Sequence, residues 1–232
     1  MKKICRPLLQ SMVAKYIVSL IIFLAVALSA KGSGIDSLST KYTDGQFVTY
    51  CQVKVKVPPE IMNDVANDYV YQLKYDLNKL FTWALKGMKL RKENDAMMVF
   101  NLKSTAFDES NNILKATGAV DVTGIISFPE IHVDSRLTKT EQNGHISVHL
   151  EMLDADAFLK KTIGIFQVIP QKNECTIVLT TYIKFGWFFN IFVTKNIFKK
   201  IMEWRFQKMM HNIANEAINR DKLRTYELQT KK

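Results

Sequence analysis

The chain has little cysteine and little histidine, three and four residues of 232. Cys5 precedes the first apolar run instead of following it, so there is no lipobox and a bacterial lipoprotein is disfavoured. Cys51 and Cys175 leave two readings open: a disulfide, which an even pair in an exported chain allows, or two buried small hydrophobes. His132, His145 and His149 share the polar face of neighbouring predicted strands, but nothing fixes converging ligands with a partner behind each ring. No metal site and no cofactor are expected. The net charge of +10 comes without a stacking motif for nucleic acid, so that partner is not expected either, and no catalytic motif stands out.

Acidic residues are missing from the first thirty positions. Lys2, Lys3, Arg6 and Lys15 precede an uncharged apolar run, YIVSLIIFLAVALSA, that ends in small residues. A basic start, an apolar stretch and Ala25, Ala27 and Ser29 near its end are the parts of an export signal cut near residues 27 to 30. The run is shorter than the roughly 20 apolar residues a spanning helix needs. Residues 1–30 therefore read as a signal peptide, and the expected location is periplasmic or at the cell surface, with membrane anchorage if the signal is retained. Its removal takes four basic residues and lowers the charge from +10 to +6. The remainder suits one domain. Residues 31–44 read as a linker, 45–222 as the domain and 223–232 as a basic polar tail.

Period-two alternation from Gln46 to Val57 sets Phe47, Thr49, Cys51, Val53 and Val55 on one face of a strand. Pro58 and Pro59 end it and suit a helix start, after which Ile61, Val65, Tyr69, Leu73, Leu77, Leu80 and Ala84 draw one helical stripe as far as Gly87. Period two then returns in six segments: Ala96 to Lys103, Ile113 to Phe128, Ile131 to Lys139, His145 to Leu153, Ile163 to Ile169 and Cys175 to Phe185. Pro129 reads as a break, and a short helical piece is expected near Ala155 to Lys161. Asn143-Gly144 is a two-residue hairpin signal, and such a turn sets Leu137 opposite Leu150, Ser135 opposite Met152, Arg136 opposite Glu151 and Thr138 opposite His149. From about Asn190 to Arg220 the period is 3.6 again, with Phe198, Ile201, Met202, Phe206, Met209, Met210, Ile213 and Ala217 on one wide face. The expected fold is α+β: a curved seven-stranded antiparallel sheet, in the order β-α-β6-α, wrapped on a long C-terminal helix.

This order resembles the helix-grip fold of the START and polyketide-cyclase-like (SRPBCC) superfamily. VKVKVPPEIMNDVAND at 53–68 is similar to the family's first strand and proline-marked helix start, and FLKKTIGIFQVIPQKNECTIVLTTYIKF at 158–185 to its last two strands. Gly186 to Ala217 resembles the gripping helix. The resemblance implies a cavity between sheet and helix that takes a hydrophobic small molecule or lipid. Phe100, Leu102, Val133, Ser135, Leu137, Val148, Leu150, Ile177 and Leu179 on the strands would line it with Met202, Phe206, Met209 and Ile213 on the helix, and Ser135, Thr49, Thr181 or Asn101 could orient a polar head. Trp187, Phe188, Phe189 and Phe192, followed by lysines, either anchor the helix to the sheet or form a portal that touches a membrane surface. Parity places no Asp or Glu inside with a His partner. The reading is accordingly a non-enzymatic binding or carrier domain. Its alternatives are a cyclase- or hydrolase-type enzyme using the same cavity, and a filled-core module that docks on a protein or membrane.

Overall fold

A computed structural model describes residues 35–88, 98–122, 126–155, 159–186 and 194–230. The signal peptide read at 1–30 and the aromatic approach to the last helix, Trp187, Phe188, Phe189 and Phe192, lie outside the described residues. Strands β1 (Ile35–Thr43) and β2 (Gln46–Val55) form a hairpin, followed by helices α1 (Pro59–Tyr75) and α2 (Leu77–Leu80). Six strands come next: β3 (Met98–Asp108), β4 (Ile113–Val122), β5 (Ile126–Gln142), β6 (His145–Ala155), β7 (Leu159–Pro170) and β8 (Cys175–Phe185). Helix α3 (Lys195–Thr230) ends the described chain. The sheet order is β1-β2-β8-β7-β6-β5-β4-β3, and every neighbouring pair is antiparallel. A two-stranded hairpin, a helical segment, six further antiparallel strands and a long helix on the inner face make the helix-grip arrangement.

Several boundaries differ from the sequence reading. The segment read as a linker, 31–44, contains β1, which turns at Asp44-Gly45 with both residues at positive φ and adds an eighth strand beside β2. The single helix expected as far as Gly87 stops at Tyr75. Asp76 leaves helical geometry at φ −148° and its carboxylate accepts from the Lys79 N–H at 3.1 Å, so a short polar side chain ends one helix and caps the next. Pro129 does not break a strand. It lies within β5 where two residues on β4, Gly118 and Val120, face Ile131 and Phe128, a bulge that tolerates the missing N–H. No helix occupies 159–161, because β7 begins at Leu159; the stretch 156–158 lies outside the described residues. The tail read at 223–232 continues α3 to Thr230.

The Asn143-Gly144 hairpin has the expected register, with Leu137, Ser135, Arg136 and Thr138 opposite Leu150, Met152, Glu151 and His149. That register extends across the sheet as continuous inner rows. One runs Ile146, Val168, Ile177, Val53; the next runs Val148, Phe166, Leu179, Cys51. All eight residues belong to one buried cluster together with Met202, Phe206, Met209 and Ile213 of α3. Burial of each large side chain in it contributes roughly 1.5–3 kcal/mol.

Cys51 and Cys175 are both free and both buried. The disulfide reading fails on register, because Cys51 faces Leu179 while Cys175 faces Val55. Four residues along a strand separate them by about 13 Å, beyond the reach of a disulfide. Burial pushes the Cys51 thiol up to about 12 and, with help from Glu60 and Glu174, the Cys175 thiol up to about 11. Neither forms thiolate near neutral pH. A thiol-reactive reagent such as Ellman's should therefore leave both unmodified in the folded protein at pH 7 and label both on unfolding in denaturant; labelling of either without denaturant would contradict this packing.

Candidate functional site

The third inner row departs from the two apolar ones. It runs Leu137, Leu150, Gly164, Thr181, Thr49, Thr40, and turns from aliphatic to polar halfway across. Thr40 Oγ1 donates to Thr49 Oγ1 at 3.1 Å, which satisfies one pair. Thr181 Oγ1 is buried and no described residue hydrogen-bonds to it. The same holds for Thr162 Oγ1, two residues from Gly164 on the same face of β7. Between these hydroxyls Gly164 offers no side chain. Its φ is not positive, so the backbone does not demand glycine, and a Cβ built there would meet only Thr181 Cγ2 at 3.9 Å and Leu150 at 4.0 Å. Space, rather than conformation, is what glycine supplies at this point.

Helix α3 crosses above this row. Phe198 lies on Phe47 and Phe185, with ring centroids 4.3 and 5.0 Å apart, and one turn later Glu203 Oε1 accepts from the Thr40 N–H at 2.8 Å. Farther along, Asn212 Nδ2 donates to the carbonyls of Ala84 and Lys86, and Arg220 pairs with Asp68 of α1 at 2.7 Å. These anchors fix the rotation of α3 about its axis. Glu203 points toward β1, and two residues along a helix is about 200° of rotation, so Arg205 leaves the axis on the opposite side. It stands three residues after Met202 and four before Met209, on the buried stripe.

Arg205 is the unusual residue of that stripe. Its Nε is buried with no hydrogen-bond partner among the described residues, and burial depresses the guanidinium below its ordinary range. Glu203, two residues away, is engaged by Thr40 and Lys199. An arginine remains charged even so, and an unpaired charge is costly away from water.

Helix α1 forms the other wall. The Tyr69 ring lies 5.5 Å from that of Phe166, the inner residue next to Gly164, and edge-on to Trp83 at 6.4 Å. Trp83 Nε1 donates to the buried Gln72 Oε1 at 2.7 Å, so the turn after α2 holds its aromatic against α1. Apolar surroundings raise the Tyr69 hydroxyl to about 12, which keeps it a neutral donor.

Of the residues read from sequence, Ser135, Leu137, Val148, Ile177, Leu179, Met202, Phe206, Met209 and Ile213 are buried. Leu150 is partly buried against the cluster, and Leu102 and Val133 are half-buried farther toward β3. Phe100 pairs with Val120 on β4, but its side chain and that of Asn101 lie outside the described residues. Thr49 and Thr181 both face inward, yet only Thr181 lacks a partner among the described residues. Periodicity alone passed over Arg205, Gly164 and Thr162. Arg205 was visible at helical spacing from Met202 and Met209, whereas the role of Gly164 depends on its cross-strand neighbours. His132 lies beside Thr117 and Glu130 on the outer face, and among the described residues no three His, Cys, Asp or Glu side chains converge as a metal site would need.

No family model matches the chain, and no curated protein does. Solved structures do resemble it. A protein from Thermus thermophilus is 12% identical with a TM-score of 0.47, over 74% of this chain and 97% of that one. A START superfamily protein from Mycobacterium smegmatis is 10% identical with a TM-score of 0.44, over 74% and 97%. The Zhui aromatase/cyclase from a Streptomyces species is 11% identical with a TM-score of 0.44, over 78% and 96%. These are likenesses of fold.

Two substitutions examine the site without a ligand. Arg205→Met replaces a partly buried guanidinium, whose Nε has no partner among the described residues, by an apolar chain of similar length and should stabilise the empty protein by on the order of 1 kcal/mol, read as a higher thermal midpoint. Gly164→Ala should be tolerated, changing stability by less than about 1 kcal/mol, since the added methyl makes only ordinary van der Waals contacts with Thr181 and Leu150. A large loss in either would mean that the residue holds the fold together instead of shaping a site.

Proposed function

We propose that this protein binds a hydrophobic small molecule or lipid between the inner face of its sheet and helix α3, as a non-enzymatic carrier outside the cytoplasm. One observation carries the reading: the apolar inner face continues past the strands that α3 covers, and at that margin a glycine leaves side-chain space beside buried, unpartnered hydroxyls. Helix α3 packs on β1, β2 and β8, whereas Leu137, Leu150 and Gly164 continue the third row over β5, β6 and β7. A ligand laid along that row would bury apolar surface at about 25 cal/mol per Å², with a few polar groups to set its orientation.

The location rests on the basic and then apolar N-terminal pattern, which supports export to the periplasm or cell surface. Contact with a membrane surface, where such a carrier would load, is supported by the aromatic segment 187–192 and the lysines after it. Among the described residues no helix is long and apolar enough to cross a membrane.

Native mass spectrometry of the purified protein, followed by organic extraction, tests both parts. The expected result is an apolar molecule at near-stoichiometric occupancy on a chain that begins between residues 27 and 31. A protein that purifies empty and also ignores fatty acids, sterols and phospholipids would defeat the carrier reading, and an intact Met1 would defeat cleavage. Met209→Ala should weaken occupancy, because it removes a side chain that adapts to irregular apolar ligands.

A further inference from the structure

An apolar groove does not by itself call for a buried arginine. We propose that the ligand is an amphipathic carboxylate, its head held by Arg205 with the hydroxyls of Thr181 and Thr162, and its tail laid over Gly164 toward Leu150 and Leu137. The proposal rests on reading the groove as an apolar binding site and names the chemistry of what enters it.

Three independent placements support it. Arg205 is turned away from β1 by the Glu203 to Thr40 bond, toward the side of the row that holds Thr181 and Gly164. Its Nε and both threonine hydroxyls are buried without partners among the described residues, and buried polar groups in that condition are uncommon. Gly164, which brings no side chain, lies where polar gives way to aliphatic in the row, as a molecule with one polar end requires.

Charge selects the head group. One unpaired guanidinium balances one negative charge, and its planar fork matches the two oxygens of a carboxylate. A phosphate monoester carries close to two charges near neutral pH and would want a second cation. The neighbouring Lys199 and Lys208 are exposed, and Lys199 is engaged by Glu203 at 3.9 Å. A neutral head, such as a sterol hydroxyl, would leave the guanidinium charge unanswered.

The test uses the full chain, titrated calorimetrically with hexadecanoate, its methyl ester and hexadecanol, which share a tail and differ in the head. Hexadecanoate should bind at least about 10-fold tighter than either neutral compound, as expected for a charge-assisted hydrogen bond made away from water. Arg205→Met should erase that preference while retaining the ester and the alcohol. Arg205→Lys, which keeps the charge but not the fork, should retain part of it and guards against mistaking misfolding for lost recognition. Gly164→Leu should weaken all three by filling the space for the tail. Equal binding of the three by the unaltered protein would overturn the carboxylate assignment and leave the apolar groove standing. Binding of none would remove both readings. Preferential extraction of phosphatidylglycerol from vesicles would overturn the assignment in favour of a phosphodiester head.

Discussion

The inner face of the sheet is wider than the helix laid on it. An α-helix with its side chains is about 10–12 Å across, while eight strands at 4.7–4.9 Å spacing span roughly three times that width. Helix α3 is held to one side by Phe198 on Phe47 and Phe185, by Glu203 on Thr40 and by Arg220 on Asp68. The opposite side falls to α1, through Tyr69 on Phe166 and Lys74 over the Phe107 ring. Everything of functional interest follows from this division, because the third inner row passes from beneath one helix toward the other.

Along that row the energetic demands on the residues change. The first two rows are closed packing of aliphatic and aromatic side chains, where a polar atom would have no place. In the third, hydroxyls replace methyl groups at Thr40, Thr49 and Thr181, and the pair that satisfies itself is the one directly beneath α3. A sequence selected for stability alone would pair or remove the remaining buried polar atoms, since each costs about 1–3 kcal/mol when unsatisfied. Among the described residues such atoms remain on Arg205, Thr181 and Thr162, and also on Asn63 and His145. Thr162 and Thr181 lie on neighbouring strands beside Gly164, an arrangement that suits recognition and agrees with the general opposition between stability and binding function.

Local periodicity and turn chemistry made much of the fold legible. The alternation of Phe47 to Val55, the Pro58-Pro59 helix start and the Asn143-Gly144 register each depend on neighbours in sequence, and each has its counterpart in the structure. The misreadings share a different cause. Pro129 reads as a break by intrinsic preference, which a bulge overrides, and the single helical stripe drawn as far as Gly87 passes over Asp76, which caps a second helix inside it. Strand β1 alternates weakly because it is an edge strand with mostly exposed side chains, so it resembled a linker. The site was less legible than the fold. The apolar members of the candidate lining followed from parity, but Gly164 and Thr162 matter only through residues that chain topology brings beside them.

Strand register bears on where the site lies. Register shifts occur at Asp36, Lys103, Pro129-Glu130, Leu153 and Lys160, three of them on strands β3 to β6. Each adds a residue without exchanging faces, so Leu102 and Phe107 remain on one side of β3 despite the odd number of steps between them. Bulges bend a strand and increase its twist. Three of the five fall on β3 to β6, beyond the strands β1, β2 and β8 on which α3 packs. Strand β7 lies between these two groups of strands. That is the strand on which Gly164 leaves its space and Thr162 its unpaired hydroxyl, with Thr181 beside them on β8.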